Sequence, residues 1–206
     1  MIKISAYPRT VTLPQGDVVT LRPLNSDDEA RLLDFFLTIP EEERWYLKQD
    51  ITSPGVVFLW THEIDYKRIL PLLAFTEAGQ IVGDAVLIRR RGGARSHIAE
   101  IRVLVSPQFR HRGLAAQMIR DLCDIADDAG IELVVTEIVD DAQDEAMALL
   151  ELAGFNRVST LEGMAKDQQG HSKDVVVLSL PLGRYYKWSK LSYPNDQRES
   201  DLSPPG

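Results

Sequence analysis

The feature that most constrains this chain is the sequence Val-Ser-Pro-Gln-Phe-Arg-His-Arg-Gly-Leu-Ala at residues 105–115. The apolar run 101–105 before it predicts a buried strand, and apolar residues spaced by three and four over 114–129 predict a helix. A strand, a tight turn with two arginines and a helix start form an anion site. Backbone N–H groups point out of such a turn, and the helix N-terminus adds about half a positive charge. The sequence therefore predicts a ligand that carries phosphate.

Two common phosphate-binding motifs do not fit this turn. A P-loop requires Gly-Lys-Ser/Thr where this chain has Gly113-Leu114-Ala115. A Rossmann motif requires three glycines in the first strand–helix unit, whereas this turn has one glycine and lies in the middle of the chain. An ordinary strand–turn–helix connection with two solvated arginines is the alternative interpretation.

Length and composition favour one domain. The chain has 206 residues, 44% of them hydrophobic, which is enough for a single substantial core. We expect the domain to span residues 1–183. The polar, proline-containing segment 184–206 is expected to be a partly disordered tail.

Charge and targeting signals limit the partners and the location. The net charge of −8 argues against a nucleic-acid surface but leaves room for a local basic pocket. The single cysteine, Cys123, excludes an intrachain disulfide framework and is interpreted as a core thiol. We find no apolar segment typical of a secretory signal or a membrane span, so a cytoplasmic protein without a membrane partner is expected.

The order of predicted elements indicates an α/β (α+β) fold class. Predicted strands lie at 18–24, 70–77, 81–90, 98–105, 132–139, 155–161 and 175–182. Predicted helices are 26–36 with a capping box at Ser26 and Glu29, a short turn from 41, a helix capped by Ser53-Pro54, 114–129 and 142–153. Residues 162–174 are expected to form a mobile hairpin connection. One parallel unit over 98–139 lies among mainly antiparallel connections.

Arg110, Gly113 and Ala115, preceded by Val105-x-Pro107, resemble the pyrophosphate loop of the GNAT superfamily, the acetyl-CoA-dependent N-acetyltransferases. The order of elements over 18–182 is also similar to that family. The resemblance implies a mixed, mainly antiparallel sheet of six to seven strands, flanked by helices, with a central parallel β-α-β unit.

The resemblance also implies acetyl-CoA as the donor substrate and a site for it. The pyrophosphate would be held by the loop and the helix start, at Arg110, His111, Arg112, Gly113, Leu114, Ala115 and Ala116. The pantetheine arm would lie between the preceding strand and its parallel neighbour, against Val103, Leu104 and Val105. A backbone N–H there would face the thioester carbonyl. No metal is implied, because the four histidines lack the spacing of ligands.

Acetyl transfer to an amine requires a base, since an alkyl amine is almost fully protonated at neutral pH. Glu100 is the candidate, because some GNAT enzymes place their general base at the corresponding strand position, where it acts directly or through a water. The alternative is a strand-edge carboxylate paired with an arginine at 89–91. Asp84, on the adjacent strand, is a second carboxylate that could reach the same cleft.

The chain departs from the family at residues 144–155, which resemble its second motif. Many members carry a tyrosine four residues before the Gly-Phe pair, where this chain has Leu150. The asparagine frequent near that helix start is also missing, and Gln143 is the nearest substitute. Either the CoA thiolate leaves without a protein acid, or another group supplies the proton.

The resemblance predicts direct transfer of an acetyl group from acetyl-CoA to a primary amine in a ternary complex. Segments 19–24, 44–46 and 64–66 are similar to bacterial Pat-type protein-lysine acetyltransferase domains, and a small-molecule amine is the alternative acceptor. Homodimer formation is left open. Two other classes remain: an acyl-CoA-binding sensor without chemistry, consistent with Leu150, and an interaction protein that uses the basic and aromatic segment 184–190.

Overall fold

The computed structural model describes residues 6–90 and 92–183, and the predicted tail 184–206 lies outside the described residues. The strands of this part are β1 (Arg9–Thr12), β2 (Val18–Pro23), β3 (Ile69–Phe75), β4 (Ile81–Arg89), β5 (Ile98–Val105), β6 (Leu133–Val139), β7 (Asn156–Lys166) and β8 (Ser172–Pro181). The helices are α1 (Glu29–Thr38), α2 (Glu41–Arg44), α3 (Pro54–His62), α4 (Leu114–Asp128) and α5 (Asp144–Leu152). None of these helices combines the length and apolar character needed to cross a bilayer.

All eight strands belong to one sheet in the order β1-β2-β3-β4-β5-β6-β8-β7. Every neighbouring pair is antiparallel except β5 and β6, which are joined through α4. The predicted fold class, with a central parallel unit in a mainly antiparallel sheet, is confirmed. The expected six to seven strands become eight because β1 pairs with β2 at the edge of the sheet. Its sequence, Arg-Thr-Val-Thr, gives little hydrophobic signal.

Helices cover both faces of the sheet, as the packing of the side chains of β3 shows. Successive side chains of a strand point to opposite faces. Leu72 therefore packs in a cluster with residues of α4 and α5, while Leu73 and Phe75 pack in a second cluster with residues of α1 and α3. Because both faces are covered, residues 70–75 form an unbroken apolar run and are all buried.

The start of α1 differs from the prediction by one residue. A 3₁₀ turn, Ser26–Asp28, precedes the helix, and its capping box is formed by Asn25 and Asp28 rather than by Ser26 and Glu29. The Asn25 side chain accepts a hydrogen bond from the Asp27 N–H at 3.0 Å, and Asp28 accepts one from the Asn25 N–H at 3.0 Å. Asp28 has a second partner in the Arg22 guanidinium, at 2.6 Å, which fixes the box at this position. At α3, Ser53 is the N-cap residue, but its side chain makes no capping hydrogen bond.

The hairpin predicted at 162–174 is present, but most of this segment belongs to its two strands. β7 continues to Lys166 and β8 begins at Ser172, so only a short turn separates two long strands. β7 is the last strand of the sheet, and its positions are almost all exposed. A strand that buries neither face has no apolar alternation by which to recognise it.

Candidate active site

The parallel strands β5 and β6 separate after three residue pairs. Their ladder joins Ile98–Leu133, Ala99–Val134 and Glu100–Val135 and ends there, although β5 continues to Val105 and β6 to Val139. The outer edges of both strands stay paired, β5 with β4 and β6 with β8. The inner backbone edges of 101–105 and 136–139 therefore face a wedge-shaped opening.

The turn before α4 lies at the wide end of this opening. His111 and Gly113 have positive φ angles of 57° and 85°. No side chain caps the N-terminus of α4, and its first turn contains no acidic residue. The first hydrogen bond of the helix joins the Gln117 N–H to the Gly113 carbonyl, so the N–H groups of 114–116 precede any intrahelical donor. This end of α4 is suited to a bound anion.

Gly113 is required by the packing of the turn. A Cβ at this position would lie 2.9 Å from Cδ of Pro14, and the positive φ angle favours glycine independently. The sequence analysis does not anticipate this contact, because Pro14 lies far from the turn along the chain.

The two arginines of the turn have carboxylate partners. Arg110 donates two hydrogen bonds to Glu43, at 2.8 and 2.7 Å, and a third to the Val105 carbonyl at 3.3 Å. Arg112 binds Asp17 at 2.8 Å, and its guanidinium carbon lies 4.9 Å from the centre of the Phe109 ring. Arg110 therefore lies on the cleft with a partner that an anionic ligand would have to displace or share.

A cavity of about 1230 Å³ occupies the opening between β5 and β6 and extends past the α4 turn. The predicted site residues that line it are Glu100, Val103, Leu104, Val105, Arg110, His111, Gly113, Leu114, Ala115 and Ala116. Arg112 is the predicted residue that does not line it. One cavity thus brings together the residues predicted to act as the base, to hold the pantetheine arm and to bind the pyrophosphate.

Two residues that the sequence analysis considers near Glu100, Asp84 and Arg89, do not line this cavity. Asp84 is buried, with 2% of its surface exposed, and its carboxylate pairs with Arg102 at 3.4 Å instead of lining the cleft. Arg89 pairs in register with Ala99, at the end of β5 opposite the α4 turn, and donates to the Lys67 carbonyl at 2.7 Å. Arg89 therefore lies at the end of β5 away from the turn and does not line the cavity.

Lys48, which the sequence analysis does not identify, is the partner of Glu100. Its Nζ atom lies 2.7 Å from Glu100 Oε1 and 3.2 Å from Glu137 Oε2. Burial lowers the pKa of Lys48, but hydrogen bonds and charge attraction from the two carboxylates outweigh burial and raise it above the ordinary value. Of the alternative partners considered for Glu100, the described residue Arg89 donates instead to the Lys67 carbonyl, and Lys48 is the partner found among the described residues.

Glu137 is the second residue missed by sequence reasoning. Val135 lies opposite Glu100 in the parallel ladder, and Glu137 follows Val135 by two positions on the same face of β6. The register of the parallel pair is the signal that could have identified it.

Among the described residues, the part of the cavity wall formed by the predicted helix 142–153 contains no tyrosine. Leu150 lines the cavity and is 6% exposed, and Gln143 accepts a hydrogen bond from the Val139 N–H at 2.9 Å, which ties the start of α5 to the end of β6. Tyr46 lines the cavity from the segment after α2.

The carboxylates of Asp140, Asp141 and Asp144 lie within 4.8 Å of one another at the start of α5. Acidic groups stabilise a helix N-terminus by themselves, so this cluster does not require a bound ion.

A parallel pair that splits beside an uncapped helix N-terminus is the architecture implied by the GNAT resemblance. Residues 30–155 match the Acetyltransferase (GNAT) family. This match covers more than half of the chain, so the protein belongs to the GNAT family of acetyltransferases. No curated protein matches the chain.

Solved structures show the same fold. The GNAT domain of S. lividans PAT is 22% identical, with a TM-score of 0.70 over 84% of this chain and 96% of that one. A phosphinothricin acetyltransferase (Pat) from Sinorhizobium meliloti in complex with AcCoA is 19% identical, with a TM-score of 0.67 over 80% and 89%. A ribosomal-protein-alanine N-acetyltransferase from Brucella melitensis is 19% identical, with a TM-score of 0.66 over 79% and 99%. At these identities the likeness shows the fold alone.

Proposed function

We propose that this protein is an N-acetyltransferase that transfers an acetyl group from acetyl-CoA directly to a primary amine in a ternary complex. The observation that carries the proposal is the position of a primary ammonium, that of Lys48, between Glu100 and Glu137. The same cavity extends to the uncapped N-terminus of α4. A site for an ammonium and a site for an anion at two ends of one cavity match the two substrates of this reaction.

The donor side of the proposal rests on backbone groups. The N–H groups of Leu114, Ala115 and Ala116, with the Arg110 guanidinium, would hold the pyrophosphate. Acetyl-CoA supplies the reactive thioester when it is bound. The unpaired inner edge of β5 at 103–105 would hold the pantetheine arm, and one N–H of that edge would stabilise the oxyanion, a contact of about 3 kcal/mol in comparable enzymes.

The acceptor side rests on two carboxylates. Glu100 would accept the proton that the acceptor ammonium must lose before its nitrogen can attack, and Glu137 would keep the ammonium in place. Charge attraction favours a cationic primary amine, which describes both a protein lysine and a small polyamine. The acceptor must displace Lys48 to reach the pair.

The departing thiolate needs a proton, and Leu150 cannot supply it. Tyr46 and Thr136 are two hydroxyl-bearing residues among those that line the cavity. A phenol is a stronger acid than an aliphatic hydroxyl, so Tyr46 is the better candidate for this proton.

The test follows thiol release from acetyl-CoA with a panel of α-blocked lysine peptides, polyamines and amino acids. Glu100→Gln should lower turnover by roughly 10²- to 10⁴-fold and leave CoA affinity unchanged. Glu77→Gln, which removes the same charge at an exposed turn outside the cleft, should leave turnover unchanged. Equal turnover of Glu100→Gln and the native chain would refute the role of Glu100.

The second candidate function is an acyl-CoA sensor without chemistry. It is favoured by Leu150, an apolar residue on the cavity wall where many family members carry tyrosine. This alternative predicts CoA binding with no thiol release for any amine in the panel, and that result would overturn the proposed enzyme activity.

A further inference from the structure

The side chain of Lys48 occupies the cleft in an unusual way for a surface lysine. It is 63% exposed overall, yet its Nζ atom binds both Glu100 and Glu137 inside the opening between β5 and β6. Its nitrogen is a primary amine held against the carboxylate that the proposed function uses as a base. The Lys48 amine and the Glu100 carboxylate are therefore in contact within one molecule, without a second copy of the chain.

The segment 43–48, which we call the cleft strap, is anchored at three points. Glu43 binds Arg110 at the anion end of the cavity, through contacts of 2.8 and 2.7 Å. The Trp45 Nε1–H donates to the Lys166 carbonyl of β7 at 2.7 Å. Lys48 binds Glu100 at the other end of the cavity. These contacts keep Lys48 over the cleft, so its amine has a high effective concentration there.

We propose that Lys48 is a self-acetylation site of this protein, modified within one molecule from acetyl-CoA bound in the same cleft. The inference rests on the proposed function. Glu100 takes one proton from the Lys48 ammonium, and the neutral nitrogen attacks the thioester carbonyl carbon. A C–N bond forms and the C–S bond breaks. After the attack the nitrogen loses its second proton, which passes to the departing CoA thiolate through a cleft hydroxyl or a water. Glu100 returns the first proton to solvent, so one proton is released for each acetyl group transferred.

The surrounding lysines provide an internal comparison. Lys67 is exposed and does not line the cavity, so it reports acetylation by acetyl-CoA without help from the site. Lys166 lines the same cavity, and its backbone carbonyl accepts the hydrogen bond from Trp45 of the strap. A catalysed reaction should therefore favour Lys48 over Lys67.

The experiment incubates the full chain with acetyl-CoA and follows acetylation by peptide mass spectrometry at several protein concentrations. We expect Lys48 to be acetylated at least about 10²-fold faster than Lys67, the lower range for general-base catalysis. The fraction modified per unit time should not depend on protein concentration, because the reaction is intramolecular. Glu100→Gln should slow the reaction at Lys48 and leave Lys67 unchanged. In Lys48→Arg, the peptide that contains residue 48 should no longer be acetylated.

Three results would overturn the inference: equal rates at Lys48 and Lys67, a rate per molecule that rises with protein concentration, or no effect of Glu100→Gln. The first two are measured on the native chain and do not depend on the folding of a variant. If Lys48 stays unmodified while an added amine releases thiol, this inference fails and the proposed function stands. If CoA binds and neither reaction occurs, both fail.

Discussion

Replacing Glu43 by Gln is expected to strengthen CoA binding, because Glu43 pairs with Arg110, the arginine that we propose to hold the pyrophosphate. The pair has two contacts, at 2.8 and 2.7 Å, and the side chains are 28% and 36% exposed. A partly exposed ion pair contributes up to about 1 kcal/mol of stabilising free energy. This pair should lie near that upper value, because the guanidinium donates two hydrogen bonds to the carboxylate. If CoA must displace Glu43 from Arg110, the variant should bind it about fivefold more tightly, since about 1.4 kcal/mol is a factor of ten.

Isothermal titration calorimetry with CoA measures this change directly. Glu42→Gln is the matched control, since it removes one negative charge from the same short helix at a residue outside the cavity. Pantetheine, which lacks the phosphates, should bind the native chain and Glu43→Gln equally. Unchanged or weaker CoA binding by Glu43→Gln would refute competition between Glu43 and the ligand for Arg110.

Two further predictions concern stability. Gly113→Ala should lower the free energy of unfolding by about 2 kcal/mol or more, because the φ angle of Gly113 is positive and the added Cβ would lie 2.9 Å from Pro14. The control Gly55→Ala, at a helical position with open space around it, should raise the free energy of unfolding by about 0.5–1 kcal/mol. Urea unfolding measures both variants, and equal effects would contradict the packing argument. Burial raises the pKa of Asp28, but hydrogen bonds, chiefly from Arg22, outweigh it and lower the pKa, so its contribution to stability is present above pH 3.8 and is lost as pH falls below it. Asp28→Asn should cost roughly 3–5 kcal/mol at neutral pH and flatten the acid side of the stability profile, and an unchanged profile would contradict this sign.

The strand, turn and helix start around residues 105–116 could be predicted because their signals are local. Residues 105–116 carry the strand end, the turn and the helix start in one continuous stretch. Glu100 lies on the strand that leads into this stretch, so its position could be predicted from the same local pattern. Each of these features depends on near neighbours in the chain, which a sequence displays directly.

The partners of these groups could not be predicted in this way. Lys48 and Glu100 are 52 residues apart, and Glu43 and Arg110 are 67 apart. Such contacts depend on how the segment after α2 crosses the sheet, and no periodicity in the sequence specifies that path. The sequence suggests Asp84 as a cleft residue, but its carboxylate is buried against Arg102 instead. Its partner, too, could not be predicted from the sequence.

Strand boundaries were predictable only where burial produces a pattern. β3 and β5 are recognised by apolar runs, since both lie inside the sheet. β1 and the outer half of β7 lie at its two edges and contain no fully buried residue, so hydrophobicity does not mark them. The extra strand and the longer hairpin have this single physical cause.

Hydrogen–deuterium exchange of the native chain with and without acetyl-CoA tests the central claim most directly, because the claim assigns the donor to particular backbone amides. We predict slower exchange at 103–105 and at 114–116, the inner edge of β5 and the first turn of α4. Exchange in α3, which lies outside the cavity lining, should stay unchanged. Unchanged exchange at both predicted segments in saturating acetyl-CoA would contradict the account.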